Sequence, residues 1–404
     1  MRTCKKTIAG SSPAGDSTCA ALKAMDEYLV AAQSSTCSQE MHLQGAGAVA
    51  ELEGKLARHY GMRHAVCVSN ATTGLLAIAL ALDLEDCEFV CSPYTYGASV
   101  GTWLLRDNQP RFADIDPQTL TLDLESARRA ITPKTRAILS TDIYGHPSDS
   151  RSLRALADEF GLWFVADAAQ SFGASREGLP ASSCADALVV SFTAGKVLFA
   201  GEGGAILTND SDLFEKVVWF TQHPYRQKRE LGLHLWNEFG LNARIHPVAA
   251  VWANAAFDET LAALRTYQGR CFQVIRALNS IGLTDPIRFE EEGISPSFSR
   301  FTAAWRSHPR PSDLQAELAR RGCSLSVEPA PVSLLYKQAA FLAQFEGRYR
   351  IPVRCRHAER QARVRFCLEE ANGIGDHANS QFLPPPNRGR SQGLFRARQT
   401  ASGF

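Results

Sequence analysis

A lysine between apolar residues is the first candidate for chemistry in this sequence. Lys196 follows Ser191-Phe192 and precedes Val197-Leu198-Phe199. Because apolar surroundings disfavour the charged ammonium form, we expect the pKa of Lys196 to be lowered and its amine to serve as a nucleophile. A solvated surface lysine is the alternative. A phosphate-binding P-loop is excluded, because Val197 stands where that motif needs Ser or Thr.

An aspartate ends a second apolar segment. Val165-Ala166 precede Asp167, and Ala168-Ala169-Gln170 follow it. Sheets of the α/β class bind their ligands at the carboxyl ends of buried strands, which is where this aspartate is predicted to lie. A carboxylate there is costly unless a cation or several donors meet it, and a protonated ring nitrogen would meet that need. A helix N-cap or a structural hydrogen bond is the alternative interpretation.

Small polar residues form a third segment, Ser69-Asn70-Ala71-Thr72-Thr73-Gly74, which follows a predicted strand and opens a predicted helix. The N–H groups of a helix start, together with the helix dipole, bind phosphate. An ordinary N-cap by Asn70 or Thr72 is the alternative. Taken together, a phosphate cradle, a buried aspartate and a reactive lysine are what pyridoxal phosphate (PLP) requires. The aspartate keeps the pyridine nitrogen protonated, and the lysine holds this electron-sink cofactor as a Schiff base.

The elements that must position these residues alternate between strands and helices. The predicted strands are Ala65–Ser69, Phe89–Ser92, Arg111–Ala113, Ala137–Thr141, Trp163–Ala166, Ala187–Phe192 and Gly204–Thr208. The predicted helices among them are Thr72–Leu82, Leu124–Ala130 and Ser152–Phe160. Short apolar strands of this kind are typical of sheets that are buried on both faces. The alternation therefore predicts an α/β fold, with one large, mostly parallel sheet of seven strands between helices.

Changes in composition divide the chain into four predicted parts. Residues 1–40 are rich in Ser, Ala, Thr and Gly and are expected to form an N-terminal arm with one helix. Residues 41–255 form the predicted large domain, which carries the candidate PLP site. Residues 256–380 are expected to form a smaller α+β domain. Residues 381–404 are basic and rich in Pro, Gly and Ser, and we expect them to be a disordered tail.

The composition also excludes some classes of protein. Of 404 residues, 45% are hydrophobic and the formal net charge is +1, so the sequence lacks the global basic field of a nucleic-acid-binding protein. No segment approaches the about 20 apolar residues that span a bilayer, and no apolar core follows the first charged residues. We therefore expect a cytoplasmic protein with no nucleic-acid or membrane partner. The eleven cysteines contain no Cys-x-x-Cys pair, so no metal site is expected.

The order and spacing of these motifs resemble the DegT/StrS-type family of sugar aminotransferases, which has the aspartate-aminotransferase-like PLP-dependent transferase fold. The resemblance covers roughly residues 40–260 and thins out beyond them. The matching runs are Ala65–Leu75, Pro93–Ser99, Phe112–Asp116, Ile131–Arg136, Tyr144–Pro147, Ala166–Ala174, Ser191–Gly204 and Asn242–Arg244. The combination of Asp-Ala-Ala-Gln with Ser-Phe-x-x-x-Lys and Gly-Glu-Gly-Gly makes this resemblance specific.

The resemblance implies a role for each matched position. Lys196 would form the internal aldimine and move a proton, and Asp167 would pair with the pyridinium nitrogen. The implied cofactor-binding residues are Ala71, Thr72, Thr73, Tyr96, Asp167, Gln170, Ser191, Lys196 and Asn242. In these roles Tyr96 would stack on the pyridine ring, and Gln170 would lie near the phenolic oxygen.

The implied phosphate contacts extend to a second subunit. Backbone N–H groups of Thr72 and Thr73 and the hydroxyl of Ser191 would bind the phosphate of the same chain's cofactor. Asn242 would reach the phosphate of the neighbouring subunit's cofactor, which implies a homodimer with shared active sites. Arg244 is a candidate for holding a substrate carboxylate.

The implied reaction moves an amino group from glutamate or glutamine to a keto sugar, preferably nucleotide-linked, or to a keto-cyclitol. It would proceed through the Lys196 aldimine and a pyridoxamine phosphate intermediate. The presence of Lys196 argues against the branch of the family that has His in its place and performs dehydration. Ala71 replaces the usual Gly, and Thr193 stands where His or Tyr is common. Two alternatives therefore stay open: a different PLP-dependent reaction, such as decarboxylation, elimination, replacement or C–C bond formation, and a catalytically inactive partner subunit.

Overall fold

The computed structural model describes residues 13–34, 42–233, 240–281, 293–304, 311–320, 326–329, 332–345, 347–351, 355–359 and 363–367. The strands are β1 (His64–Val68), β2 (Glu88–Cys91), β3 (Gln109–Phe112), β4 (Thr135–Thr141), β5 (Trp163–Asp167), β6 (Ser175–Arg176), β7 (Leu179–Pro180), β8 (Ala187–Ser191), β9 (Gly204–Thr208), β10 (Ile294–Ser295), β11 (Thr302–Ala304), β12 (Ser326–Pro329) and β13 (Arg363–Cys367). The helices are α1 (Pro13–Ser34), α2 (Ala48–Tyr60), α3 (Ala71–Ala81), α4 (Gly97–Leu104), α5 (Leu124–Ala130), α6 (Ser150–Phe160), α7 (Ser211–Thr221), α8 (Pro224–Leu231), α9 (Pro247–Ile281), α10 (Pro311–Arg320), α11 (Ala339–Phe345) and α12 (Arg356–Glu359).

A seven-stranded sheet forms the centre of the larger layered unit, with strand order β1-β9-β8-β5-β4-β2-β3. Its strands are parallel except β9, which pairs antiparallel with both β1 and β8. The seven strands predicted from the sequence are these seven, each within two residues of its predicted limits. The mostly parallel α/β fold is therefore confirmed.

Both faces of the sheet are buried, because the side chains of successive strand residues alternate between two apolar layers. Ala166 and Leu188 pack in the layer that includes Leu52 and Leu56 of α2. The neighbouring Val165 contributes to the opposite layer. That second layer is completed by apolar residues of α3, α4 and α7, among them Leu75, Trp103 and Val217.

The helix that precedes the sheet follows directly from its apolar spacing. In α2 the residues Val49, Leu52, Leu56 and Tyr60 are buried and lie on one face. The helix ends at Gly61, which has a φ of 65° and whose backbone N–H donates to the last turn of the helix. The sequence predicts that this helix ends at Gly61, and the structure confirms it, because glycine adopts the left-handed conformation without a steric penalty.

A smaller α+β arrangement follows the large sheet. The strands β11, β13 and β12 form a three-stranded antiparallel sheet in that order. A third apolar cluster joins the second half of α9 to α10 and β12, and its fully buried members include Cys271, Leu314 and Leu318. The sequence predicts a helix over Val248–Leu278, and α9 confirms it with one more residue at its start and three more at its end. The four-part domain division stays a prediction, and its basic tail lies outside the described residues.

Three details differ from the sequence analysis. The helices α4, α7, α8, α11 and α12 were not predicted. The sequence predicts a strand around Phe298–Arg306, and β11 confirms its middle part; the strand does not begin at Phe298, which has a positive φ of 49°, and residues 305–306 lie outside the described residues. The sequence predicts a helix around Cys19–Ala32 in the arm, and α1 is longer than this and lies against α9. Within the described part of the chain, no helix has the length and apolar character needed to cross a membrane.

Candidate active site

One edge of the large sheet carries the segments that the sequence analysis selected. Six strands end at this edge, and the antiparallel β9 begins there. Residues 69–74 follow β1, residues 93–99 follow β2, residues 167–170 stand at the end of β5, and residues 191–196 at the end of β8. Since α/β sheets bind ligands outside the carboxyl ends of their strands, this edge is the candidate active site.

Lys196 lies half-buried in the loop after β8, where its backbone N–H donates to the carbonyl oxygen of Thr193 at 3.2 Å. Burial lowers the pKa of the Lys196 amine below its ordinary value of 10.5. The carboxylate of Asp167 opposes this shift, and the guanidinium of Arg300 adds to it. A lowered pKa makes the unprotonated, nucleophilic amine available closer to neutral pH.

The buried amine also predicts a pH-dependent stability. Between the lowered pKa of native Lys196 and the ordinary 10.5, the unfolded chain binds more protons, so stability rises with pH across that window. Below this pH window, the folded protein contains a buried ammonium group, which lowers its free energy of unfolding. Replacing Lys196 with methionine should therefore raise the free energy of unfolding of the cofactor-free protein at pH 7, and the gain should shrink as the pH approaches 10.5. Urea denaturation at several pH values measures this, and a destabilised variant at pH 7 would contradict it.

Asp167 is buried at the end of β5, and both of its carboxylate oxygens accept hydrogen bonds. The hydroxyl of Ser99 donates to Oδ2 at 2.5 Å, and the backbone N–H of Ala169 donates to Oδ1 at 3.1 Å. These two hydrogen bonds fix the position of the carboxylate at the centre of the sheet edge, between β4 and β8.

A row of hydroxyl groups orients that carboxylate. Ser99 on α4 accepts a hydrogen bond from the hydroxyl of Thr95 at 3.0 Å, and the Thr95 hydroxyl lies 2.9 Å from that of Thr141. Ser99 and Thr95 are buried, so water competes little for these bonds. No role for Ser99 was predicted, because a single serine in a segment with no predicted helix does not indicate a contact with Asp167.

The start of α3 has features of both interpretations of this segment, an ordinary N-cap and a phosphate-binding helix start. The side chain of Asn70 caps the helix and accepts hydrogen bonds from the Thr73 N–H at 2.8 Å and the Thr73 hydroxyl at 2.9 Å. The Thr73 N–H is therefore engaged within the chain in this structure. The N–H groups of Ala71 and Thr72, in the first turn, are the donors that α3 directs toward an anion.

Two residues bring the loop after β8 close to this helix start. Ser191, the last residue of β8, is buried and pairs with Gly204 in the sheet. A Cβ atom at Gly204 would lie 2.8 Å from the backbone nitrogen of Ala71 and 2.6 Å from the carbonyl oxygen of Val190. The absence of a side chain at Gly204 thus leaves room for the start of α3 beside Ser191.

This close packing predicts the effect of one added methyl group. Replacing Gly204 with alanine should lower the free energy of unfolding by about 1 to 3 kcal/mol, because the backbone around Ala71 must shift. The same shift should weaken PLP binding. Gly101→Ala is the matched control, since a Cβ there meets nothing within 4 Å and α4 should gain about 0.5 to 1 kcal/mol. Urea denaturation and PLP titration measure both variants, and equal effects would contradict the packing.

Gln170 follows Asp167 by three residues. The Oε1 atom of Gln170 accepts a hydrogen bond from the backbone N–H of Tyr144 at 2.9 Å. Tyr144 is buried, and its hydroxyl lies 2.9 Å from that of Tyr94. The Gln170 side chain is thus bound to the turn after β4, and its role beside a cofactor stays a prediction.

Tyr96 is positioned for contact with a ligand. It precedes α4, three residues before Ser99, and 67% of its surface is exposed. An aromatic ring that is exposed at the edge where ligands bind can stack on a flat ring. The predicted stacking on a pyridine ring stays a prediction.

Asn242 and Arg244 lie beside the phosphate segment of their own chain. The carbonyl oxygen of Ala243 accepts a hydrogen bond from the Ser69 N–H at 2.7 Å, and Arg244 bridges to Val68. Asn242 is exposed with a positive φ of 53°, and its side chain accepts a hydrogen bond from Arg244. Burial lowers the pKa of Arg244. The contact of Asn242 with a second subunit stays a prediction.

The residues at this edge fit PLP in charge and shape. The first turn of α3 and the hydroxyl of Ser191 suit a phosphate, and Gly204 keeps that cradle free of a side chain. The buried carboxylate of Asp167 suits a protonated ring nitrogen, and Lys196 is the amine that suits an aldehyde.

Comparison with known proteins agrees with this geometry. The sequence model of the DegT/DnrJ/EryC1/StrS aminotransferase family matches residues 25–369. A UDP-2-acetamido-2-deoxy-3-oxo-D-glucuronate aminotransferase from Pseudomonas aeruginosa is 34% identical over 204 residues, which are 50% of this chain and 55% of the relative. The chain spans about half the length of the curated relatives it matches.

Solved structures show the same fold over more of the chain. A DegT DnrJ EryC1 StrS aminotransferase from Brucella abortus has a TM-score of 0.73 at 20% identity, covering 87% of this chain and 90% of the other. DesI, solved in the presence of its TDP-sugar product, has a TM-score of 0.65 at 28% identity, covering 85% and 84%. With a family match over residues 25–369, the chain belongs to the DegT/DnrJ/EryC1/StrS aminotransferase family.

Proposed function

We propose that this protein is a PLP-dependent aminotransferase that moves an amino group from glutamate or glutamine to a keto sugar. The observation that carries the proposal is that three features lie at one edge of the large sheet. Asp167 ends β5, Lys196 lies in the loop after β8, and the start of α3 follows β1. Burial lowers the pKa of the Lys196 amine.

Each end of the cofactor has a proposed partner. Ala71, Thr72 and Ser191 would hold the phosphate, Asp167 would hold the ring nitrogen, and Lys196 would hold the aldehyde carbon. When bound, PLP supplies an electron sink that stabilises negative charge on the carbon from which a proton is removed.

Lys196 is the proposed general base and general acid. Its amine is held near the edge by the turn between Thr193 and Lys196, and its lowered pKa brings it nearer to the pH at which proton transfer is efficient. The nitrogen Nζ would accept the proton from the donor's α-carbon and deliver a proton in the other half of the reaction. The same atom thus serves both halves.

Asp167 is held in place by two donors. The hydroxyl of Ser99 and the N–H of Ala169 each donate a hydrogen bond to one of its carboxylate oxygens. A carboxylate facing the ring nitrogen keeps that nitrogen protonated. The row from Thr141 through Thr95 to Ser99 holds this orientation.

The relatives support a nucleotide-linked keto sugar as the acceptor. The Pseudomonas aeruginosa relative is named for a UDP-linked 3-oxo sugar acid, and DesI was solved with a TDP-sugar product. A keto-cyclitol is the other acceptor that we expected from the sequence. We further propose a homodimer in which Asn242 completes the partner's phosphate site, and the cytoplasmic location stays a prediction.

Two half-reactions test the proposal. The purified protein is loaded with PLP, and its absorbance spectrum is recorded after glutamate, glutamine or no donor is added. We expect one donor to convert the aldehyde form of the cofactor to the amine form, and a UDP- or TDP-linked keto sugar to restore the aldehyde form. If PLP binds but no donor converts it, a different PLP-dependent reaction is indicated. If no PLP binds, the cofactor assignment is wrong.

A further inference from the structure

A long connection joins two neighbouring strands of the smaller sheet. Strands β12 and β13 pair with each other, yet residues 330–362 lie between them in the sequence. The described residues of this connection, 332–345, 347–351 and 355–359, form what we call the excursion segment. Because a turn between paired antiparallel strands needs only about two to five residues, the excursion segment does more than reverse the chain.

The excursion segment covers the edge strand β3 of the large sheet. The N–H of Phe112 donates to the carbonyl oxygen of Arg350 at 2.9 Å, and the Arg350 N–H donates to the carbonyl oxygen of Pro110 at 3.1 Å. The rings of Tyr336 and Tyr349 each lie 5.6 Å from the ring of Phe112, which is fully buried. Hydrogen bonds and burial of this kind cover a strand edge that would otherwise be open.

The last part of the excursion segment is held by a buried carboxylate. Asp114, two residues after β3, accepts hydrogen bonds from the backbone N–H groups of His357 at 2.9 Å and Ala358 at 2.8 Å. Both N–H groups lie at the start of α12, where a helix provides no partner for them. The excursion segment is therefore bound to the large sheet at several points along its length.

The first part of the excursion segment contacts the loop that carries Tyr96. The backbone N–H of Leu335 donates to the carbonyl oxygen of Pro93 at 3.0 Å. Leu335 is only 1% exposed, and a Cβ atom on Gly97 would lie 4.0 Å from its Cδ2 atom. Leu335 thus lies against both ends of the loop formed by residues 93–97.

Tyr96 depends on this loop for its position. Two thirds of its surface is exposed, so few contacts of its own hold the ring, and the backbone on either side must place it. Its neighbours Tyr94 and Thr95 are buried, and the Thr95 hydroxyl lies 2.9 Å from that of Thr141 in β4. Leu335 adds a contact from a segment far away in the sequence.

We propose that Leu335 is a positioning residue for Tyr96, because it holds the loop of residues 93–97 in place. The consequence for PLP rests on the proposed function. A ring that is already in position loses less conformational freedom when a flat ligand stacks on it, so its position contributes to affinity. Removing the Leu335 side chain should therefore loosen the loop and weaken PLP binding only through Tyr96.

Hydrogen–deuterium exchange of the cofactor-free protein tests the contact without PLP. We expect Leu335→Ala to raise the exchange rates of amides 94–99 about tenfold more than those of the strands. Leu84→Ala is the matched control, because Leu84 is 3% exposed in the same apolar layer and lies before β2, at the opposite edge of the sheet. Both variants lose a buried leucine side chain. An equal effect on amides 94–99 in both variants, or no effect in Leu335→Ala, would overturn the proposal.

A conservative variant keeps this test decisive if Leu335→Ala does not fold. Leu335→Val removes less of the side chain and should raise the exchange of the same amides by a smaller factor. Leu335→Met keeps most of the volume and should leave them protected. Unchanged exchange in Leu335→Val would then contradict the role of Leu335.

A double-mutant cycle in PLP affinity tests whether Leu335 acts through Tyr96. We expect Tyr96→Ala to weaken PLP binding about 3- to 10-fold, Leu335→Ala to weaken it less, and the double variant to bind no more weakly than Tyr96→Ala. Fluorescence titration measures all three, and independent multiplication of the two factors would overturn the positioning role. If the unaltered protein binds PLP but converts no donor, the proposed function fails and the positioning role stands. If it binds no PLP, the cofactor assignment fails, and the exchange measurement decides whether Leu335 holds the loop.

Discussion

Replacing Lys196 with alanine is expected to reduce the rate of amino transfer about 10⁴-fold or more. The variant loses both the amine that holds the cofactor and the atom that moves the proton. It should still bind PLP through the start of α3 and Asp167, with a spectrum closer to that of the free aldehyde. Stopped-flow absorbance with saturating glutamate or glutamine measures the donor half-reaction directly.

Lys216 provides the matched control for this substitution. It is an exposed lysine on α7, away from the sheet edge, so Lys216→Ala should leave both the spectrum and the rate unchanged. A Lys196→Ala variant that keeps a rate within about tenfold of the unaltered protein would show that another group moves the proton.

Replacing Asp167 with asparagine is the second change with a large expected effect. Asparagine keeps the shape of the side chain but removes the charge that faces the ring nitrogen. Breaking one partner of a buried ionic pair costs about 3 to 5 kcal/mol, which corresponds to roughly 10²- to 5 × 10³-fold. We expect the loss in PLP affinity multiplied by the loss in the rate of the donor half-reaction to reach this size. PLP titration measures the first loss, and stopped-flow absorbance measures the second.

Asp142 allows this effect to be separated from a general loss of stability. It lies buried just after β4, one strand away from Asp167, and accepts hydrogen bonds from the Ser148 N–H and the hydroxyls of Ser171 and Ser182. Burial raises the pKa of Asp142. Asp142→Asn should lower the melting temperature with a smaller effect on PLP affinity. If both variants weaken PLP binding equally, the charge of Asp167 has no special role.

The central sheet was predictable because its strands are short, apolar and bounded by turns. Such strands are buried on both faces, and their ends mark the edge where ligands bind. Lys196 and Asp167 therefore stood out from residue type and position alone. The helix α7 was missed although Asp210 caps it and Leu213 and Val217 form its buried face, which are signals that the sequence does carry.

Other parts of the site depend on tertiary contacts that no local pattern announces. Arg300 donates a hydrogen bond to the carbonyl oxygen of Gly195, which lies 105 positions earlier in the sequence. The segment that contains Arg300 matched no motif. Ser99 reaches Asp167 across 68 positions, through a helix with two glycines that propensity disfavours. The engagement of the Thr73 N–H by Asn70 was weighed only as an alternative, because helix caps and phosphate sites use the same small polar residues.

Covalent attachment of PLP to Lys196 tests the proposed chemistry most directly. The PLP-loaded protein is reduced with sodium borohydride, digested and analysed by mass spectrometry, with and without prior addition of an amino donor. We expect a pyridoxyl group on the peptide that contains Lys196, and its loss when glutamate or glutamine is added before the reduction. A modified lysine elsewhere in the chain, or no modified peptide at all, would contradict the assignment of Lys196 and with it the proposed aminotransferase.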